Sequence, residues 1–391
     1  MKYKLSDIAF YVKEKISVDT LTVKNYISTE NMKPNKGGIV DALSLPTTTQ
    51  AQRYETGDIL VSNIRPYFKK IWFAERTGGC SNDVLVIRPK EGVDARFLYY
   101  VMSNDIFFDY SMSTSKGTKM PRGDKTAIMN YQVQLYDIET QRKIANFLGE
   151  IDAKIELNNR INNNLEQQIQ TLFSRDFGQY SFATNSAEES KLPSSWKYYR
   201  LSELCKQIRP GTNFQPKRVE SGIPFLNVRC INQGYIDISD AKYISDSEYK
   251  HVHKTWQPEE NDILISRIGT LGLVAVIRKE DLPIAVHYNF IDIKVEKVPF
   301  EFMYFLLKSE MFQSAYHFVK KQSVQEYVTI DEVEDIRIPL PVIADYDFDV
   351  YKNYYAMILD NQRETRQLIM LRDALLPKLM AGELDVSDIQ L

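Results

Sequence analysis

Two segments of the chain carry apolar residues at alternating three- and four-residue steps. In the first these are Leu148, Ile151, Ile155, Leu165, Ile169 and Leu172. The spacing predicts a helix from Glu139 to about Phe173 with a coiled-coil seam along one side. Asn158 and Asn162 take the two seam places between Ile155 and Leu165, inside the run NNRINNN (158–164). The second segment runs Tyr351, Tyr354, Ile358, Asn361, Thr365, Leu368, Arg372, Leu375 and predicts a helix from about Asp349 to about Met380. Its middle is polar too. Arg372 interrupts the register, and Leu371 and Leu376 stand ready beside it. Asparagine is a poor helix-interior residue, because its amide competes for nearby backbone groups. Buried in a seam it fixes register, since a slipped pairing leaves it unsatisfied. The two helices are therefore expected to pair antiparallel with their polar middles together, leaving Asn159, Asn163 and Asn164 to solvent or a third partner. A helix of about 35 residues is about 50 Å long, so the pair would act as a spacer.

Elsewhere the pattern is short and β-rich. DILVS, KIWFA and DVLVI predict strands, and DILIS, LVAVI and FIDIKV echo them some 200 residues later. The echo extends along the chain. KLSDIAFYV (4–12) resembles RLSELCKQI (200–208), Asp58 matches Asp262 (262 − 58 = 204), and Asn82 matches Asn289. An aromatic-rich helical stretch follows in each copy (95–110 and 300–318), then a strand-like piece (YQVQLY, DIRIPLP), then the long helix. A period near 200 exceeds any solenoid repeat and indicates a duplicated domain. The fold class expected is α+β: two similar mixed α/β domains joined by two long helices packed as an antiparallel coiled coil, with pseudo-two-fold symmetry. The boundaries expected are 1–138 for the first domain, 139–177 for its helix, 178–195 for a Ser-rich linker, 196–342 for the second domain and 343–391 for the last helix and an acidic tail.

Composition changes this picture little. With 391 residues the chain exceeds one ordinary core. A net charge of −3 gives no overall attraction to nucleic acid. Three separated cysteines, no signal-type apolar run and no 18-residue apolar stretch fit a cytoplasmic protein without a membrane partner. No P-loop, Gly-rich nucleotide fingerprint, zincin motif or Asp/Asn-Pro-Pro-aromatic signature occurs. His251 and His253 lack a nearby Cys or His to complete a metal set. The chain is expected to be a binder with no catalytic residue, metal or cofactor of its own.

Local charge is more informative. Candidate DNA contacts in the first copy are Arg65, Lys69 and Lys70, then Lys116, Thr118, Lys119, Arg122 and Lys125 in the loop KGTKMPRGDK. In the second copy they are Arg209, Thr212, Lys217 and Arg218, then Arg267 and Thr270, then Lys320, Lys321 and Gln322. Basic loops interleaved with Gly, Thr and Gln suit phosphates and base edges. Two equivalent halves held apart by a spacer suit two separated sites on double-stranded DNA.

The order of elements resembles the specificity subunit of Type I restriction-modification enzymes. IETQRKIANFLGEIDAKIELNNRINNNLEQQIQTLF resembles the central conserved region of that family, and NQRETRQLIMLRDALLPKLMAGELDV resembles its C-terminal one. GDILVSNIRP and NDILISRIGTLG look like its target-recognition domains. The resemblance implies a non-catalytic subunit in which each domain reads one half of a bipartite, asymmetric site. It implies two methyltransferase subunits, docked on the helices, that methylate adenine with S-adenosylmethionine. Restriction/translocase subunits using ATP and Mg would join them. A recognition subunit of another modification or phage-defence system, or a protein scaffold without DNA contact, are the alternatives.

Overall fold

In a computed structural model of the chain the described residues are 2–180, 182, 192–213, 215–232, 234–238, 241–321 and 326–384. Most of the expected linker, the acidic tail beyond 384 and the candidate Gln322 lie outside them. The chain divides into two compact units, Met1–Asn159 with Gln362–Leu391, and Arg160–Asn361. Each unit thus combines one sheet domain with half of each long helix.

The first unit is built on a four-stranded sheet in which Ile59–Ser62 lies between Ile71–Phe73 and Val84–Pro89, with Ala9–Tyr11 at the far edge. All its pairings are antiparallel. Alternation gives the sheet two buried faces. Ile59, Val61, Ile71, Leu85 and Ile87 pack under the helices with Phe97, Leu98 and Val101. Leu60, Trp72, Val84 and Val86 pack the other way, against Ile27, Tyr54 and Cys80 of a second layer. Burying each large aliphatic side chain contributes about 1.5–3 kcal/mol, which explains near-continuous apolar runs such as ILV and VLVI. The second layer is a four-stranded sheet of Lys15–Ser17, Gln50–Tyr54, Gly78–Cys80 and Tyr26–Ile27. A ribbon pairs Lys2–Lys4 with Gln132–Gln134, and closes the domain just before the long helix starts.

The second unit repeats this plan. Ile263–Ser266 lies between Val274–Val276 and Phe290–Val295, with Cys205–Pro210 at the edge. A second layer holds Arg218–Val219, Lys242–Ile244, Ile223–Leu226 and Ala285–Val286. Trp196–Arg200 pairs with Arg337–Pro341. One detail of the sequence alignment changes. Asn63 N donates to Asp83 O, and Arg267 N donates to Asn289 O. The backbone therefore equates Asp83, rather than Asn82, with Asn289.

Each aromatic-rich stretch, expected as one helix, is two. Ala95–Ser103 and Asp105–Ser113 break at Asn104, and Phe300–Lys308 and Glu310–Phe318 break at Ser309. The breaking residue caps the second helix: Asn104 Oδ1 accepts from Ile106 N at 3.1 Å, and Ser309 Oγ from Phe312 N at 3.3 Å. Asn and Ser are good N-caps, and the extended backbone of a cap ends the helix before it.

The long helices are Ile138–Phe177 and Asp349–Ala381. Within the first unit their halves run antiparallel: Arg372 Nη1 meets Asp152 Oδ1 at 2.8 Å, and Asn158 Nδ2 donates to Glu364 Oε2 at 2.8 Å. Within the second unit the pairing is antiparallel too. Asn361 Nδ2 donates to Asn162 Oδ1 at 2.8 Å, Asn162 Nδ2 to Ile358 O at 3.3 Å, and Tyr354 Oη to Gln168 Oε1 at 2.8 Å. Leu148, Ile151, Asn158, Leu165 and Ile358 are buried along the seam, while Ile155, Asn162, Asn361, Thr365, Leu368 and Leu375 are half-buried. Asn163 and Asn164 are exposed and Asn159 is half-buried. Two expectations change. Arg372 keeps its seam place by ion-pairing with Asp152 and Asp373; of the two leucines beside it Leu371 is exposed, while Leu376 is buried in the core of the first unit. Past Ile169 the seam shifts from Leu172 to Phe173 and Phe177, both fully buried, with Leu172 half-buried at its edge. Phe173 lies against Tyr351 and Phe302 at 5.1 and 5.5 Å between ring centroids. A heptad drifts about 20° against a straight helix, so where the helix enters the domain core the stripe follows the 3.6-residue period.

Candidate nucleic-acid interface

One backbone assembly recurs in both units. In the first, residues 116–122 form a tight hairpin closed by Lys116 N to Arg122 O and Arg122 N to Lys116 O, both 2.9 Å. It is laid on the turn after Ile59–Ser62 by an Ile64–Arg122 bridge, by Arg65 N to Pro121 O (2.8 Å) and by Gly123 N to Asn63 O (3.0 Å). In the second, Lys321 N donates to Tyr327 O at 2.8 Å, an Ile268–Tyr327 bridge docks the loop, and Val328 N donates to Arg267 O at 3.0 Å. Because backbone bonds make this assembly, loop composition is free to differ on top of it.

In the first unit the hairpin brings Arg65, Lys116, Thr118, Lys119 and Arg122 together, all exposed. Lys116 pairs with Asp124 at 2.7 Å, and Arg122 reaches Asp83 at 3.4 Å. Asp124 also caps the helix Lys125–Met129 through Thr126 N and Ala127 N. Lys125 is exposed at its first position. Lys69 and Lys70 are turned to the protein. Lys69 pairs with Asp105 at 2.9 Å, and Lys70 Nζ donates to Thr29 O at 2.5 Å. Burial holds the Lys70 ammonium below its ordinary value.

In the second unit Lys320 pairs with Glu326 at 2.8 Å and Lys321 with Glu332 at 3.2 Å. Arg267 Nε donates to Val328 O at 2.9 Å, and burial lowers its pKa. Thr270 is exposed. Thr212 is half-buried, tied through its backbone to Val286 and Tyr288. Lys217 and Arg218 lie exposed on a separate segment. Arg209 is half-buried, with its guanidinium over Trp256 at 5.2 Å from the ring centre. Its neighbour across the sheet is Asp292. Burial first, then the nearby Asp262 carboxylate, raises the Asp292 carboxyl well above its ordinary value, and burial pushes Asp262 up to about 6. His253 packs between Tyr249 and Trp256, and burial pushes its imidazole down to about 4. Among the described residues no three His, Cys, Asp or Glu side chains gather as a metal site, and no helix is long and apolar enough to cross a membrane.

Sequence patterning passed over Tyr67 and Phe68. Both are exposed on the turn beside the hairpin, at 48% and 37%. Their signal was an aromatic pair after Pro66 inside a basic run.

Two copies of one sheet domain, each docking a basic loop on the turn after its central strand, define a duplicated, loop-presenting recognition protein. Residues 2–167 and 193–364 each match the Type I restriction modification DNA specificity domain, and the chain belongs to that family. The specificity subunit of the Type I restriction enzyme MjaIX of Methanocaldococcus jannaschii is 26% identical over 317 residues, covering 78% of this chain and 72% of that one. The HindI specificity subunit of Haemophilus influenzae is 23% identical, covering 98% and 99%. The crystal structure of the Type I restriction-modification S subunit from M. genitalium superposes with a TM-score of 0.53 at 16% identity, covering 97% and 96%, and shares this fold.

Proposed function

We propose that this chain is the DNA-recognition subunit of a Type I restriction-modification assembly, each sheet domain reading one half of a bipartite site. The observation that supports it most is that a bridged backbone pair beginning at a lysine, Lys116 with Arg122 and Lys321 with Tyr327, is docked on equivalent turns of the two units. Exposed Lys and Arg on backbone-clamped loops supply the phosphate contacts that position a duplex, and neighbouring side chains read base edges. The seam of the long helices sets the gap between half-sites. Their outer faces dock two methyltransferase subunits; Met357, Ile369, Met370 and Leu371 of the second helix are exposed apolar residues suited to helix packing. This chain performs no chemistry in that reading. Methyl transfer from S-adenosylmethionine and ATP- and Mg-dependent translocation fall to the partner chains.

The test is exchange of residues 1–138 for the corresponding domain of a relative, followed by mapping of methylated adenines. One half of the methylated sequence changes and the other stays. A change in both halves, or in neither, rejects the assignment of one half-site to each domain. One extra helical turn in each long helix lengthens the gap; an unchanged gap rejects the spacer.

A further inference from the structure

The turn after Ile59–Ser62 is more constrained than its length requires. Arg65 and Lys69 both have φ of +50°, flanking the single 3-10 turn Pro66–Phe68. Left-handed backbone is rare for residues other than Gly, Asn and Asp. The equivalent turn of the second unit is bounded by glycines at the same places: Ser62 N donates to Lys70 O where Ser266 N donates to Leu273 O, and Gly269 and Gly272 have φ of +84° and +77°. That turn is one residue shorter and carries only Thr270 and Leu271 between them. The first unit therefore holds two strained residues where glycine is compatible with the fold, and places Pro, Tyr and Phe between them.

The strain is held from three sides. Asn35 N and Lys36 N donate to Phe68 O and Lys69 O at 2.8 and 2.9 Å. Asp105, on the helix behind, pairs with both Lys36 and Lys69 at 2.9 Å. Pro121 O receives Arg65 N. So clamped, the turn exposes Tyr67 next to Arg65, its ring tilted 52° to that of Phe68 at 4.6 Å between centroids, and the hairpin that bears Lys119 is bonded to the same turn through Pro121 and Arg122. An over-determined, strained backbone that exposes an aromatic ring within a cationic rim points to a contact outside the molecule.

We infer that the Pro66–Phe68 turn is a preformed aromatic wedge for duplex DNA, with Tyr67 entering the groove against a base step and Arg65 and Lys119 holding the flanking phosphates. The charge of the rim matches a polyanion, and an apolar wedge between base steps reads the ease of unstacking. The second unit, with Gly269-Thr270-Leu271-Gly272, has no such ring, so the two half-sites are read by different means. This inference rests on the reading of the chain as a DNA-recognition subunit.

The test is selection from a randomised duplex pool by the full chain, as wild type, Tyr67→Ala and Tyr67→Phe, with thermal unfolding of each. Wild type enriches a two-part sequence. Tyr67→Ala lowers the enrichment of adjacent positions in one half by about tenfold, leaves the other half intact and keeps the wild-type Tm; Tyr67→Phe restores the preference. The wedge is overturned if Tyr67→Ala enriches the wild-type sequence unchanged, or if it weakens both halves together with a fallen Tm that Tyr67→Phe also shows. A wild-type chain that enriches no sequence overturns the recognition reading itself, and is distinguished from failure of the wedge alone.

Discussion

The two sheet domains share a backbone plan and differ in how they treat charge beneath it. In the first, Asp58 is buried at the entrance to the central strand and accepts Arg88 through two bonds of 2.7 and 2.9 Å, with Glu55 and Glu14 around the same guanidinium. In the second, Asp262 takes the place of Asp58 and Lys294 that of Arg88, but the lysine turns outward to Glu259 at 2.6 Å. A lysine cannot make the planar two-bond fork of an arginine. The second domain also places Arg209 and Asp292 across the sheet from each other, where the first has Val12 and Val86 joined by Val12 N to Val86 O at 3.0 Å. The same sheet thus tolerates either a closed ion pair at its rim or two unclosed carboxyls inside it. What duplication preserves is the backbone bonding and the apolar stripes; polar interior groups have drifted independently.

The comparison is sharpened by five expected outcomes, from the largest effect downward. Arg88→Met leaves Asp58 buried without its partner and costs the first domain about 3 kcal/mol; Lys294→Met in the second costs under about 1 kcal/mol, because its partner Glu259 is exposed. Domain-resolved hydrogen exchange at Ile59–Ser62 and Ile263–Ser266 measures both, and equal losses break the contrast.

Arg209→Val with Asp292→Val copies Val12 and Val86, and stabilises the second domain at pH 7 by about 2 kcal/mol. The sign follows from the raised carboxyls. Asp262 titrates at about 6 in the folded chain and near 4 when unfolded. The native state therefore binds more protons in that window, and stability drains away as pH climbs through it. The double variant removes the proton that the raised Asp292 carboxyl takes up on folding, and so flattens the slope in denaturation followed from pH 4 to 7.

Lys116→Ala with Lys119→Ala weakens duplex binding roughly tenfold and shallows the log–log salt dependence by about 1.8. Lys320→Ala with Lys321→Ala has a smaller effect, since both of these lysines hold ion pairs, whereas in the first pair Lys116 does and Lys119 stands exposed at the hairpin tip. Filter binding across a salt series distinguishes them.

Asn158→Leu with Asn361→Leu raises thermal stability by about 1 kcal/mol by replacing a polar layer in which Asn158 Oδ1 and Thr365 Oγ1 are buried without a protein hydrogen-bond partner. Cysteine crosslinking along the helices then reports more than one register; a single unchanged register removes the asparagines from register control. The smallest effect is that of Arg65→Gly, which copies Gly269. Relief of about 1–2 kcal/mol of left-handed strain, less the added freedom of glycine in the unfolded chain, leaves a net gain of about 0.5 kcal/mol, read as a small rise in Tm.

Much of this architecture was legible in the residues. The central strands, the duplicated order and both long helices follow from period-2 and 3.5-residue patterns, because those periods report which side of an element is removed from water. The closing ribbon was half legible: Gln132–Gln134 and Arg337–Pro341 read as strands, whereas their partners Lys2–Lys4 and Trp196–Arg200 did not, because a short exposed strand depends on a distant segment for its bonds. Of the candidate interface, the hairpin residues around Lys119 were found by charge. The inward turn of Lys70 to Thr29 and the stacking of Arg209 on Trp256 were not, since composition records a charge and not its direction.

The amino-acid sequence by itself determined the repeated domain, the central strands, the two long helices and the polar middle of their seam, because each is written in local periodicity. Only the tertiary structure decided that Arg372 stays in the seam, that Asp292 lies inside a sheet, and that Arg65 and Lys69 hold a left-handed turn. Those outcomes depend on partners far away in the chain — Asp152, Arg209, Asp105 and Pro121 — and no local pattern encodes which distant group a side chain or a peptide will meet.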